Sequence, residues 1–243
     1  LPISKYGNRG CLFELRVNDI LMTEITYPTN IGEALITVNP AIFKSGKQTI
    51  EVHLSPIKGE EVISNAKPFR LEIGYYDFAE EVDESGERIW HTVFTLPDIE
   101  IPEKGLPYID MRGEFEANVP YQYTYWDDCV DLRTIPDIEQ KIVKEYEYVR
   151  KLIAQKDLEQ LKKYFMPSYR EFAITIYQTK EDIDLSWNNT CKLIKKYSTS
   201  ELQSLEEYRI VYSSNGRSVS LRSNKYGGFP SALVFVKEVN SGG

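Results

Sequence analysis

Residues 134–153, TIPDIEQKIVKEYEYVRKLI, mark a change of character in this chain. Ile138, Ile142, Tyr146, Val149 and Ile153 recur at spacings of four, four, three and four, the period of a helix that buries one face. Thr134-Ile135-Pro136-Asp137 stands before them as a cap-like start. Upstream the apolar period is two; downstream it is helical and then returns to two. The switch divides the 243 residues into a β-rich half, 1–134, and a helix-led half, 135–243, and predicts the α+β class.

Before the switch, short alternating runs are separated by turn formers. Cys11, Phe13, Leu15 and Val17 alternate with Leu12, Glu14 and Arg16, and Asn18-Asp19 offers a two-residue turn into Ile20–Ile25, which predicts a hairpin. Lys44-Ser45-Gly46-Lys47 separates Ile42-Phe43 from Ile50, Val52 and Leu54, a run closed off by Pro56 and Gly59. The period returns at Phe69, Leu71, Ile73 and Tyr75, at Trp90, Thr92, Phe94 and Leu96, and along Phe115, Ala117, Val119, Tyr121, Tyr123 and Tyr125. Seven or eight short strands without a helix predict an antiparallel β-sandwich. It resembles immunoglobulin-like domains in architecture only, because the Cys–Trp–Cys hallmark of antibody domains is missing.

After the long helix, Asp157 reads as the N-cap of a short helix carrying Leu158, Leu161 and Phe165 and stopped before Pro167. Tyr169 to Tyr177 fits either period, with helix favoured. Lys180 to Tyr197 predicts a further helix, with Ile183, Trp187, Cys191 and Ile194 on one face and Lys192, Lys195 and Lys196 near its end, where the dipole favours cations. Tyr208, Ile210 and Tyr212, then Asn215-Gly216, then Val219 and Leu221 predict a hairpin, and Leu233, Val234, Phe235 and Val236 a third strand. Lys151-Leu152-Ile153-Ala154-Gln155-Lys156-Asp157-Leu158-Glu159-Gln160-Leu161 with Tyr164-Phe165-Met166-Pro167, followed by a closing meander, resembles the opening of domains similar to nuclear transport factor 2. For roughly the last 110 residues that resemblance implies a cystatin-like roll, helices packed on a curved sheet. Its superfamily includes enzymes, ligand carriers and protein-binding modules, so it implies architecture and no activity.

With 42% apolar and 27% charged residues the chain can bury roughly three-quarters of its unfolded surface, which excludes disorder as the main state. Its 29 Lys+Arg and 37 Asp+Glu leave −8, which argues against nucleic acid as a partner, and no apolar run approaches the ~20 residues of a bilayer span. The opening Leu1-Pro2-Ile3-Ser4 reads as a chain whose signal peptide has been removed, so an exported, periplasmic protein is expected. Cys11, Cys129 and Cys191 are too few and too scattered for a disulfide scaffold. Either Cys11 and Cys129 bridge, or all three are small buried hydrophobes.

Charge is divided unevenly. Residues 1–134 carry 12 Lys+Arg and 23 Asp+Glu, a net of −11, which leaves 17 and 14, or +3, for the remainder. Asp77, Glu80, Glu81, Asp83, Glu84 and Glu87 crowd one loop, and Asp127, Asp128 and Asp131 follow the last sandwich strand. Such a cluster repels itself. It reads as a solvated hairpin tip, as an anionic surface that steers a cationic protein, or as a calcium site lacking the EF-hand order of ligands. Beside it in sequence, Tyr121-Gln122-Tyr123-Thr124-Tyr125-Trp126 would set three tyrosines on one strand face. They either cover a core edge or form a recognition surface.

An enzyme would need more than this. His53 and His91 both fall inside predicted strands, and the chain has no Gly-x-Ser-x-Gly elbow, no His-Glu-x-x-His and no Cys-x-x-Cys. Its glycines form no phosphate cradle, and Asn188-Asn189-Thr190 matches a glycosylation acceptor in mid-helix. The expected protein is therefore a non-enzymatic two-domain binder with no catalytic residue, metal or cofactor. Its partner-binding residues are Asp77, Glu80, Glu81, Asp83, Glu84, Tyr123, Tyr125, Trp126, Asp127 and Asp128. A basic protein is the expected partner. In general style the chain is similar to immunity proteins that neutralise exported bacterial toxins, which implies an inhibitor occupying a toxin's cleft. The rival is a ligand-binding or enzymatic roll with an accessory sandwich, its pocket lined by Tyr146, Trp187, Tyr208, Tyr212 and Phe235, side chains that fill the core if no pocket exists.

Overall fold

A computed structural model of the chain describes residues 2–9, 11–25, 30–63, 70–76, 82, 86–97, 99–124, 128–197, 202–224 and 231–233, with the side chains of 2–9 and 30–34 outside that description. The fold is α+β. Two compact units divide at Asp128 and Cys129.

The first unit is a two-sheet antiparallel sandwich. Its strands are β1 (Pro2–Arg9), β2 (Leu12–Val17), β3 (Ile20–Ile25), β4 (Asn30–Thr37), β5 (Gly46–Ser55), β6 (Arg70–Tyr76), β7 (Trp90–Thr95) and β8 (Ile109–Ala117). One sheet has the order β4-β1-β6-β7 and the other β3-β2-β5-β8. Alternation places Phe13, Leu15 and Val17 of β2 and Ile50, Val52 and Leu54 of β5 on the inner face, where they share one core with Leu71 and Ile73 of β6 and Met111 and Phe115 of β8. The Asn18-Asp19 turn forms as expected. Both residues are left-handed (φ 50° and 59°), the backbone that a two-residue hairpin turn requires. The two sheets meet where Phe94 of β7 lies against Gly113 of β8, and a Cβ on Gly113 would run into the Phe94 ring.

The second unit holds α1 (Ile138–Gln155), α2 (Leu158–Thr175), α3 (Lys180–Lys196), β9 (Tyr208–Ser213) and β10 (Ser218–Ser223). One side of α1 packs on the β9–β10 hairpin through Ile142, Tyr146, Tyr208 and Leu221, and the Leu221 N–H donates to the Tyr146 hydroxyl at 3.0 Å. Another side meets the remaining helices through Val149, Leu152, Leu161, Trp187 and Ile194. Asp157 caps α2 by accepting from the Gln160 N–H at 3.1 Å. Thr179 and Asp182 close a capping box on α3. Among the described residues no helix is long and apolar enough to cross a membrane.

Three expectations change. β8 ends at Ala117, where its partner β5 begins at Gly46; residues 118–124 beyond it are not a strand, and Tyr125 and Trp126 lie outside the described residues. The short helix does not stop before Pro167. α2 continues to Thr175 because Ala173 and Thr175 are buried and Tyr169 packs on the helical core, while Pro167 faces solvent where its missing N–H costs least. Within the cap-like stretch, Asp137 takes the N-cap position of α1 without a side-chain cap bond, while Thr134 ends a 3₁₀ turn and its hydroxyl donates to the Asp131 carbonyl at 2.7 Å. Finally, Cys11 is buried and Cys191 half-buried, but Cys129 is exposed, so the three are not all small buried hydrophobes. Residues 129–134 also fold with the second unit: the Leu132 N–H donates to the Gly216 carbonyl at 2.9 Å and Arg133 Nη2 to the Asn215 carbonyl at 3.2 Å.

Two measurements check this packing. Gly113→Ala forces a methyl into the Phe94 ring and should cost about 1–3 kcal/mol in urea unfolding, with partial recovery in the Gly113→Ala, Phe94→Leu double variant. An unchanged midpoint contradicts the close approach. In the second unit, the N–H and hydroxyl of Thr179 hold the Asp182 carboxyl below its ordinary 3.8, and the hydrogen bonds of Arg133 do the same for Asp131. Each carboxylate therefore stabilises the fold above that value and ceases to do so as pH falls through its lower folded pKa. Asp182→Asn should lower Tm at neutral pH and flatten the fall of Tm between roughly pH 5 and pH 2.

Candidate functional site

The connections of the sandwich define its two ends. β1 passes to β2 through two residues and β3 to β4 through four, so these junctions share one end. Pairing then assigns to the opposite end Pro2 with Tyr75, Ile3 with Thr37, Tyr76 with Trp90, the Asn18-Asp19 turn, and Gly46 with Ala117. Tyr76 and Trp90 bracket the acidic stretch, and residues 118–124 leave β8 at the same end.

A polar network built on Asn18 organises this end. Its Nδ2 donates to the Ala41 carbonyl and to Gln48 Oε1, both at 2.7 Å, and its Oδ1 accepts from the Thr49 N–H at 3.0 Å. The buried Gln48 Nε2 donates onward to the Lys44 and Gly46 carbonyls at 3.0 and 2.7 Å. The segment 38–45 is thereby fixed and supplies a shelf for the chain that follows β8. Ser45 Oγ accepts from the Val119 N–H at 2.9 Å, the Tyr123 N–H donates to the Phe43 carbonyl at 2.7 Å, and the Tyr121 hydroxyl donates to the Asn39 carbonyl at 3.2 Å. Outside any strand, this stretch still alternates: Val119 is buried and Tyr121 and Tyr123 half-buried, with Pro120, Gln122 and Thr124 exposed between them. The two tyrosine rings lie 5.5 Å apart, and Tyr121 packs on the sandwich core. Nearby, Tyr75 stacks on His91 at 5.0 Å, and Trp90 covers Gly74 while its edge contact with Tyr76 spans 5.1 Å.

Of the expected partner-binding residues, Tyr123 is half-buried on this shelf and Asp128 is exposed at the boundary between the units. Asp77, Glu80, Glu81, Asp83, Glu84, Tyr125, Trp126 and Asp127 lie outside the described residues. Sequence reasoning missed Asn18, Asn39 and Gln48. Asn18 was legible as a turn former, whereas the segment its side chain ties down lies 23 residues away at Ala41.

The outer face of the β3-β2-β5-β8 sheet shows how the carboxylates on regular structure are treated. Asp110 meets His53 at 2.6 Å, Glu51 meets Arg112 at 3.3 Å, Glu114 meets Lys47 at 3.0 Å, and Arg16 bridges Glu14 and Asp19. At the opposite end of the sandwich the exposed Glu60, Glu61, Glu100 and Glu103 are interspersed with Lys58 and Lys104. The residues around the acidic stretch offer fewer cations: between Tyr76 and Trp90 the sequence sets Arg88 against six carboxylates.

Titration follows structural causes. Burial pushes the Cys11 thiol up to about 11, so it is held as an unreactive thiol within the core. Burial also raises the Tyr164 and Tyr208 hydroxyls, with added contributions from Glu145 and Glu139, which accept their hydrogen bonds. The Lys47 ammonium is raised by its hydrogen bond to Glu114. Among the described residues no group of three or more His, Cys, Asp or Glu could hold a metal ion. In the second unit, Trp187 is buried in the helical cluster against Tyr169, whereas Tyr146 and Tyr208 belong to the hairpin cluster. Three of the side chains suggested as a pocket lining are thus divided between two packed clusters; Tyr212 is half-buried on β9, and Phe235 lies outside the described residues.

Comparison with protein-family models, with curated proteins and with solved structures finds no match for this chain. The shelf can be tested directly. Tyr121→Phe removes the hydroxyl that reaches the Asn39 carbonyl and should cost about 1 kcal/mol in urea unfolding; an unaltered midpoint would remove that bond from the account of how the segment is held.

Proposed function

We propose that this chain is an exported, non-enzymatic protein-binding module whose acidic sandwich docks on a basic protein, as an immunity-type inhibitor docks on a toxin. One observation carries the proposal: Glu14, Glu51 and Glu114 on the strands meet Arg16, Arg112 and Lys47, whereas between Tyr76 and Trp90 the sequence sets six carboxylates against Arg88 alone, −5 of the −11 of the first half. Folding gives no reason to collect like charges there, whereas association with a cationic surface does. Asp77, Glu80, Glu81 and Asp83 act as steering groups. Tyr123, Tyr125 and Trp126 act as anchors, because tyrosine and tryptophan contribute much of the energy of protein interfaces. The same end of the sandwich carries Tyr121, Tyr123, Tyr76 and Trp90, which supports joining the two features in one surface.

The test begins with proteins crosslinked to the chain in its source cells. They should be basic, and association measured by stopped flow should slow at least about tenfold at low salt when Asp77, Glu80 and Glu81 are changed together to Lys. The slope of on-rate against ionic strength should flatten in that variant. A wild-type on-rate that does not vary with salt removes the steering role, and recovery of acidic partners alone overturns the proposal.

A further inference from the structure

A sandwich of two open sheets has four edge strands, each with a row of main-chain donors and acceptors facing away from its neighbour. Here they are β4 and β7 in one sheet and β3 and β8 in the other. Three of the four are blunted by irregular pairing. The register slips between Tyr6 and Asn8 where β1 meets β4, between Leu15 and Arg16 where β2 meets β3, and between Ile73 and Gly74 where β6 meets β7. Bulges of this kind twist an edge and spoil it as a template.

β8 is different. It pairs with β5 without a slip through nine successive positions, from Ile109 with Leu54 to Ala117 with Gly46, and it contains no proline. Among the described residues no main chain other than that of β5 bonds to it. Its core-facing Ile109, Met111, Phe115 and Ala117 keep 5–9% exposure where Ile50, Val52 and Leu54 of β5 keep 0–2%, as expected of a strand with no neighbour beyond it.

The outward side chains of β8 choose the occupant. Asp110, Arg112, Glu114 and Glu116 are all exposed, three anions to one cation. Their contacts with His53, Glu51 and Lys47 lie on the surface, where such pairs contribute little and can be shared with a newcomer. On a strand added to β8, alternate side chains would stand directly opposite these four, close enough for opposite charges to favour the pairing. A second copy is poorly matched: with Gly113 set against Gly113, two Asp110–Glu116 pairs of like charge oppose two Arg112–Glu114 pairs.

Resting on the proposed docking to a basic protein, we infer that β8 is the acceptor edge: an extended segment of the partner, carrying Lys or Arg at alternate positions, joins the sheet as a fifth strand through main-chain hydrogen bonds to 109–117. Backbone bonds supply the attachment and the alternating cations the selectivity.

The probe is a synthetic nine-residue peptide alternating lysine and valine, with two derivatives N-methylated on the lysine set or on the valine set. The parent should bind and slow amide exchange at every second residue of 109–117. One of the two N-methylated peptides should bind at least about tenfold more weakly, as should the parent toward the Asp110→Lys, Glu114→Lys variant. Protection elsewhere, or equal binding of both N-methylated peptides, overturns the edge assignment while docking to a basic partner stands. If neither the peptide nor basic proteins bind, both fall. Protection of the β8 amides that grows with the protein's own concentration in the absence of peptide assigns the edge to a second copy and overturns the inference.

Discussion

Everything in the first unit follows from one constraint: side chains at every second position of two sheets must leave water together. Leu15, Val17, Ile50, Leu71 and Ile73 keep at most 1% of their surface exposed, and they do so by facing one another across a single core. Burial on this pattern commits the intervening residues to solvent and specifies the register, since a slip of one position would exchange the faces. It also leaves two kinds of unfinished business: main-chain groups at the four edges, and chain connections at the two ends.

The outward residues and the connections answer these demands differently. On the outer face of one sheet, Lys47 meets Glu114 and Arg112 meets Glu51 on adjacent strands, which reduces local repulsion. At the end organised by Asn18, neutral amides and carbonyls do the joining. In the sequence, six carboxylates against one arginine stand between Tyr76 and Trp90, outside the two strands that flank them.

Legibility in the sequence tracked how local each determinant is. The Asn18-Asp19 hairpin and the Asn215-Gly216 hairpin were visible because turn chemistry and alternation lie within a dozen residues of each other. β1 and β4 were not visible. β1 reads Pro-Ile-Ser-Lys-Tyr-Gly-Asn-Arg, rich in turn formers, and is a strand because β4 and β6 pair with it on both sides. Residues 119–124 misled for the converse reason: their alternation is real in burial, yet a ladder needs a partner, and the pairing of β8 with β5 ends at Gly46. Pro167 reads locally as a stop, but the buried Ala173 and Thr175 beyond it hold the helix through. At the candidate site, the acidic cluster and the tyrosines were evident from composition. That β7 and β8 stand at the edges of their sheets was not, because strand order depends on contacts distant in sequence.

The proposed charge surplus and the proposed acceptor edge would act on different parts of an encounter. Charges gathered on a connection are felt across about a Debye length, so their main effect is on how often a cationic partner arrives correctly oriented. Main-chain hydrogen bonds along an edge act only at contact and oppose departure, which is where most differences in affinity between related complexes lie. A strand added to β8 would meet Phe115 and Ala117 at the end of the sandwich where the Tyr121–Tyr123 shelf begins, so its final residues would approach the aromatic segment rather than open solvent. Steering, edge pairing and aromatic anchoring would then fall along one path, from a long-range field to short-range bonds. Selectivity would grow along it, because a partner with the right charge but no extended segment could be drawn in and yet find nothing to hold it.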